Sequence, residues 1–317
     1  MRPYRALTLA VIATAACSSE ASTPTESGTP AYPATPASLS SGIVFGMFGF
    51  APSDWDAGTR PDTLYTGGAI TDRNVAHVKN QLQIAQNKGL AWWYNVTSPD
   101  ETLYFVSSTN HDFDLAKWKA EFNSNVCPAP VGCPNDTSEV SLSQYINNGT
   151  LKGTWLLDDM AKFTNGTPSY SDLEAMGALA KRRFPGIATA VRQRPTELEK
   201  LNNVGTGTKQ FVNLDAGWAQ YNSRQVAINL YVSDQNAAAS RHGLKLVYGI
   251  NVSDGGDNAG AEVTQAQLKA WGTPMLTPTN SSTCSFIMWN ETYSLQNTAA
   301  MDSLSKLAKQ HATRACR

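Results

Sequence analysis

Acidic side chains stand at the ends of several apolar runs of this sequence, where they could take part in chemistry. The run GTWLLDD ends at Asp158 and Asp159, the run QFVNLD ends at Asp215, and the run KLVYGINVSD carries Asn251 and Asp254. Two carboxyl groups that flank one glycosidic bond can cleave it, one as the acid and the other as the nucleophile or base. Repulsion between two such groups raises the pKa of one of them and keeps it protonated. We therefore predict Asp159, Asp215 and Asp254 as catalytic residues.

Aromatic, amide and guanidinium side chains accompany these carboxylates. Aromatic faces pack on the apolar faces of sugar rings, and polar groups bind the hydroxyls, so the combination favours an oligo- or polysaccharide as the ligand. The candidate substrate-binding residues are Asp158, Arg192, Trp218, Tyr221, Asn251, Trp289, Glu291, Trp93 and Asn95.

Each acidic candidate also has a structural interpretation. Asp158, at the end of a buried strand, could pair with Arg192 or cap a backbone turn. Asp159 could cap a helix or loop. Asp215 could bind the Ala-Gly turn that follows it, and Asp254 precedes two glycines, as turn residues often do.

Three of the other candidates have similar alternatives. Glu291 could lie exposed to solvent. Trp93 and Trp289 could be packing residues of the core, because alternate residues of a strand point to opposite faces.

The elements that must position these residues follow an alternating pattern. Eight apolar runs, rich in β-branched and aromatic residues, alternate with amphipathic stretches, which is typical of a parallel sheet wrapped by helices. Eight such units in about 275 residues predict a single-domain (β/α)8 TIM barrel. An open doubly wound sheet is the alternative, but no Gly-rich phosphate loop follows the first strand. The predicted strands are 43–50, 90–96, 103–106, 153–157, 187–191, 210–214, 245–251 and 285–289, of which the third is short and could belong to a loop.

The predicted helices lie between these runs. They begin and end at capping signals such as Ser171, Pro185-Gly186 and Gly243. Since the active sites of such barrels lie at the C-terminal ends of the strands, all the candidates above are expected there. The predicted helices are 72–87, 114–123, 141–147, 171–184, 195–201, 223–242, 264–271 and 294–313.

The segment TWLLDDM resembles the end of the fourth strand in barrel glycoside hydrolases, and MWNE fits the eighth strand of the same superfamily. By position, the resemblance implies that Asp159 is the acid/base and Asp158 its neighbour. Met160 stands where the family motif has Pro, and the seventh strand lacks the Glu that is the nucleophile of the largest retaining clan. Another barrel clan uses Asp at the ends of strands four and six, which Asp159 and Asp215 match in position.

Three functions remain open. A glycosidase acting on an external glycan is the leading hypothesis, and a surface lipoprotein that binds carbohydrate without catalysis is the second. The third is a metal-dependent hydrolase that uses Asp158, Asp159, Asp215 and Asp254 as oxygen ligands. We expect no cofactor, because no Gly-x-Gly-x-x-Gly or Walker-type loop follows a strand.

The composition excludes some partners and predicts export. Among 317 residues, 25 are Lys or Arg and 26 are Asp or Glu, so no basic surface for nucleic acid or an anionic membrane is expected. Residues 1–17 read as a signal peptide with a lipobox-like end, which predicts lipidation of Cys17, while cleavage after Ala15 is the alternative. Residues 18–41 have the composition of a disordered tether, and 42–317 form the predicted barrel. We expect a monomer in the cell envelope or secreted, with a lipid anchor at Cys17 as its one membrane attachment.

The other four cysteines fit an oxidising compartment. Their even number and spacing favour two disulfides, Cys127 with Cys133 and Cys284 with Cys316. Zinc is the competing interpretation, but the spacings lack a CxxC pair and histidine is scarce.

Overall fold

Eight parallel strands close into a barrel in the computed structural model. Each strand pairs with the next one in sequence, and β8 pairs with β1. The (β/α)8 barrel that the alternating pattern predicted is therefore confirmed. The strands are β1 Val44–Phe48, β2 Gly67–Thr71, β3 Ala91–Asn95, β4 Leu151–Trp155, β5 Ala188–Val191, β6 Ala216–Tyr221, β7 Lys245–Ile250 and β8 Thr283–Trp289. The structure describes residues 39–55, 64–127, 141–164, 166–201, 210–257, 260–277, 280, 282–289, 295, 298–312 and 315–317.

Helices surround the barrel, and reciprocal caps fix where several of them begin. Ser169 and Asp172 form a capping box at the start of α4, and Thr264 and Gln267 form another at α7. No helix in the described ranges has the length and apolar character needed to cross a bilayer. The helices are α1 Val75–Asn87, α2 Leu115–Val126, α3 Ser143–Asn147, α4 Tyr170–Arg183, α5 Pro195–Leu198, α6 Ile228–Arg241, α7 Gln265–Leu276 and α8 Ala299–Gln310.

Bulky side chains fill the interior of the barrel. Trp93, Trp155 and Trp218 point inward from β3, β4 and β6, and all are at most 4% exposed. Neighbouring strands offer alanines, such as Ala69 and Ala190, so that the indoles fit between them. Because the centre is packed, reactive groups must lie above it, at the C-terminal ends of the strands.

The third predicted strand, 103–106, is wrong. That segment contains part of a 3₁₀ helix, Glu101–Tyr104, and its apolar residues Leu103 and Val106 are nearly half exposed. The strand that the sequence analysis did not predict is β2, Gly67–Thr71. It begins with two glycines, which are typical of loops.

The glycines of β2 are required by close strand packing. A Cβ atom at Gly67 would lie 1.6 Å from the carbonyl oxygen of Ala91, and one at Gly46 would lie 1.7 Å from the carbonyl oxygen of Gly67. Backbone that approaches this closely leaves no room for a side chain, which is one reason for glycine within a strand.

The sixth predicted strand, 210–214, is also wrong. The carboxylate of Glu174 accepts hydrogen bonds from the N–H groups of residues 212–214, which holds this segment as a turn. The strand follows it as β6, Ala216–Tyr221. Asp215 therefore precedes β6 instead of ending it.

A disulfide joins Cys284, at the start of β8, to Cys316 near the end of the chain. This is one of the two pairings that the sequence favoured. Cys127 is also disulfide-bonded, while its predicted partner Cys133 lies outside the described residues.

Loss of the Cys284–Cys316 disulfide is expected to lower the free energy of unfolding by about 3 kcal/mol, because the unfolded chain regains the entropy of an open loop. The measurement is urea unfolding of the Cys284→Ser, Cys316→Ser double variant against the unsubstituted protein. An unchanged unfolding midpoint would show that the cross-link adds nothing to stability.

Candidate active site at the barrel mouth

The C-terminal end of the barrel, called the mouth below, has an aromatic floor made of Phe48, Trp155, Trp218 and Trp289. Phe48 ends β1 and pairs in register with Trp289, which ends β8. Their rings stack with centroids 4.5 Å apart, and Phe48 also lies 5.5 Å from Trp155 and 6.2 Å from Trp218. Phe48 and Trp289 are only partly buried, so this floor meets solvent at its upper edge.

Arg192 follows β5 and lies on the aromatic floor. Its guanidinium carbon is 4.6 Å from the Trp289 ring, 4.9 Å from Trp218 and 5.1 Å from Phe48. These are cation–π distances, and such contacts gain strength when the cation is desolvated. Burial lowers the pKa of the Arg192 guanidinium to about 10, and the charge of Glu101 opposes that change. Arg192 remains a cation at neutral pH.

Asp158 forms an ion pair with Arg192 at the mouth. The side chains are 13% and 14% exposed, so both charges are largely removed from water. The backbone N–H of Arg192 also donates to the carbonyl oxygen of Leu157, which extends the pairing of β4 with β5 up to the ion pair. The structure therefore realises the pairing that sequence position suggested, with Asp158 over the floor.

Asp159 is exposed to solvent. Its Oδ1 accepts a hydrogen bond of 3.0 Å from the N–H of Ala161, and it thereby caps the 3₁₀ helix Met160–Lys162. The second interpretation of this residue, as a cap, is thus correct. The cap occupies Oδ1, one of the two carboxylate oxygens.

Sequence reasoning missed a carboxylate at the mouth, Glu101. It lies on the loop after β3 and has no solvent exposure. Its Oε1 accepts a hydrogen bond of 2.9 Å from the backbone N–H of Asp159, and its Oε2 lies 2.7 Å from Nζ of Lys162. The hydrogen bond to Glu101 raises the pKa of Lys162. The signal in the sequence was an acid six residues after the end of β3, which the false strand at 103–106 obscured.

Several buried polar atoms near the strand ends have no hydrogen-bond partner among the described residues. Asn95 uses its Oδ1 to accept from Thr97, but its Nδ2 has no such partner. Buried polar groups are normally satisfied, so these atoms call for ordered water or a ligand hydroxyl. The unpartnered atoms are Thr71 Oγ1, Asn95 Nδ2, Trp155 Nε1, Trp218 Nε1 and Asn251 Oδ1.

Asp215 lies at the opposite end of the barrel. Its carboxylate binds Nζ of Lys181 at 2.9 Å and the N–H of Thr189 at 2.8 Å. The six-residue strand β6 separates it from the mouth by about 20 Å. Two carboxyls that flank one glycosidic bond must be within about 10 Å of each other. Asp215 therefore ties α4 to β5, and its position is incompatible with the predicted catalytic role beside Asp159.

Two aromatic candidates are also away from the mouth surface. Tyr221 points outward, where its ring packs 5.0 Å from Tyr231 and 5.1 Å from Trp271 and its hydroxyl donates to Val226. Alternation along β6 sends Trp218 inward and Tyr221 outward. Trp93 lies deep in the barrel with its Nε1 donating to Ser285 Oγ, as its packing interpretation required.

The remaining candidates lie on the last two strands. Asn251 follows β7 and bridges to Trp289, so both are at the mouth. Asp254 is exposed on the loop after β7, and Glu291 lies outside the described residues. In the part of the chain that the structure describes, no group of three or more His, Cys, Asp or Glu side chains is placed to hold a metal ion. The four aspartates predicted as metal ligands, Asp158, Asp159, Asp215 and Asp254, cannot form one site, because Asp215 lies at the end of the barrel opposite the mouth.

Comparisons with known proteins identify the fold. No protein-family model and no curated protein matches the sequence. Solved structures match it over most of its length. The three described next are each 11% identical to this chain or less. A cellulase in complex with an inhibitor has a TM-score of 0.52 at 10% identity, covering 84% of this chain and 92% of that one. An endoglucanase from Pseudomonas stutzeri has a TM-score of 0.51 at 11% identity, covering 86% of this chain and 96% of that one. An endocellulase from Pyrococcus horikoshii has a TM-score of 0.50 at 11% identity, covering 85% of this chain and 93% of that one.

Proposed function

We propose that this protein is a glycoside hydrolase that acts at the barrel mouth on a glycan outside the cytoplasm. The observation that carries the proposal is the Asp158–Arg192 ion pair on the aromatic floor, at the end of the barrel where such folds have their sites. The likeness in fold to cellulases and endoglucanases supports the same class of substrate.

The carboxylates at the mouth differ in ways that suit two roles. Contact with a guanidinium stabilises the ionised form of a carboxyl group, so Asp158 suits the role of nucleophile or general base. Asp159 is exposed and has one carboxylate oxygen outside its cap, so a substrate can reach it, and we assign to it the exchange of a proton with the leaving group. Asp254, on the loop after β7, is a further exposed carboxylate on this side of the barrel.

Substrate binding would use the upper edge of the mouth. The partly exposed ring of Trp289 offers a surface on which a sugar ring can stack. The unpartnered amide atoms of Asn95 and Asn251 have the hydrogen-bonding capacity that sugar hydroxyls need.

An extracytoplasmic location is part of the proposal. The signal-like residues 1–17 predict export, and disulfides such as Cys284–Cys316 persist in oxidising compartments. Attachment through a lipid at Cys17 is the form of export that the lipobox-like sequence favours.

A second candidate function is carbohydrate binding without catalysis. The contacts of the two adjacent aspartates favour it, since Asp158 is neutralised by Arg192 and Asp159 serves as a cap. In that case the same floor and amides would bind a glycan that is not cleaved.

The test is to incubate the purified protein with β-glucans, other polysaccharides and aryl glycosides, and to measure released reducing sugar and glycan binding in parallel. Release of sugar supports the hydrolase. Binding of a glycan without release supports the second function, and the absence of both contradicts the carbohydrate assignment.

A further inference from the structure

Glu101 is a buried carboxylate for which the proposed chemistry has no direct use. It begins the 3₁₀ helix Glu101–Tyr104, whose first turn is capped by the side chain of Asp100. A buried carboxylate is costly unless it is paired and hydrogen-bonded, and the contacts of Glu101 offset that cost.

Both oxygens of Glu101 bind the loop that follows β4. Oε2 pairs with Lys162, whose side chain is about half exposed, and Oε1 accepts from the N–H of Asp159. Glu101 therefore connects the loops after β3 and β4 across 58 residues of sequence.

The N–H group that Glu101 binds belongs to the peptide unit that joins Asp158 to Asp159. A peptide unit is planar, so a hydrogen bond to its N–H also restricts the carbonyl of Asp158 and the line that joins the two Cα atoms. Asp158 then points to Arg192, while Asp159 points to solvent and caps the next 3₁₀ helix.

We propose that Glu101 is a positioning residue, which holds the Asp158–Asp159 peptide so that the two side chains diverge toward their separate roles. The inference rests on the proposed hydrolase for its effect on rate, but the positioning itself can be measured without any activity. The negative charge of Glu101 also acts on Arg192 and so supports the cation that pairs with Asp158.

The test compares three variants of the whole protein. Glu101→Met removes the acceptor, Glu101→Gln keeps an acceptor oxygen without the charge, and Lys162→Met removes the ion pair while leaving the bond to Asp159. Hydrogen exchange of the Asp159 amide, read by mass spectrometry on overlapping peptides, should be faster in Glu101→Met. It should stay slow in Glu101→Gln and Lys162→Met.

Where sugar release is found, Glu101→Met should lower kcat by roughly 100-fold with little change in KM, because a small displacement of a reacting group has an effect of this size. Glu101→Gln should recover most of that loss. Equal amide exchange in all variants, or a Glu101→Gln variant that behaves like Glu101→Met, would overturn the inference. If the protein releases no sugar at all, the exchange data alone decide it, since they do not depend on catalysis.

Discussion

Replacing Asp158 by asparagine is expected to lower kcat/KM for glycan cleavage by about 10²–10⁴-fold, the contribution typical of a reacting acid or base. Asparagine keeps the shape of the side chain and one oxygen near Arg192, but it can neither attack a sugar carbon nor take up a proton. The measurement is the initial rate of sugar release at low substrate concentration. Circular dichroism must show that the variant is folded, because its ion pair is lost too.

The matched control for Asp158→Asn is Asp215→Asn. The chemical change is the same, but Asp215 lies beneath the barrel and pairs with Lys181. We expect this control to lower stability and leave kcat/KM unchanged. Loss of activity in the control with full activity in Asp158→Asn would contradict the site proposed here.

Replacing Arg192 by methionine is expected to destabilise the protein by about 3 kcal/mol. Removing one partner of a buried ion pair leaves the other charge uncompensated, which is strongly unfavourable. Methionine fills much of the same volume and packs well against aromatic rings, so the missing charge is the main change. The measurement is the free energy of unfolding in urea at neutral pH.

A double-mutant cycle separates charge from packing at this pair. The Arg192→Met, Asp158→Leu double variant removes both charges, and it should be more stable than Arg192→Met alone, because an apolar pair can replace an ion pair at little cost. The cycle also needs the single variant Asp158→Leu. If the double variant loses as much free energy of unfolding as the two single variants together, the two side chains are not coupled and the ion pair is unimportant.

The fold was largely predictable because its signal is repeated eight times. The strands that sequence patterns missed are those in which tertiary contacts override local preference. Gly67–Thr71 contains glycines that packing against β1 and β3 requires. The apolar run 210–214 is held as a turn by the carboxylate of Glu174, which is distant in sequence. The predicted number of strands was right because two false strands, 103–106 and 210–214, stood in for two missed strands, β2 and β6.

The site was predictable where its residues follow correctly assigned strands. It was not predictable where a strand was misplaced or where loops distant in sequence meet. Asp158, Arg192 and Trp289 follow or end correctly assigned strands, and the structure brings them together. The error at β6 moved Asp215 from one end of the barrel to the other. Glu101 was missed because the false strand at 103–106 obscured its place after β3, and because its partners, at 159 and 162, come from another loop.

Both described ends of the chain lie on the side of the barrel opposite the mouth. Leu39 packs against the interior cluster that contains Cys316, and it lies close to the turn before β4. A tag, bead or sensor surface coupled at Arg317, or at Leu39 in a chain shortened to begin there, would therefore leave the mouth unobstructed. If the protein binds glycan as proposed, the immobilised protein should have the same affinity with the linkage at either of these two positions.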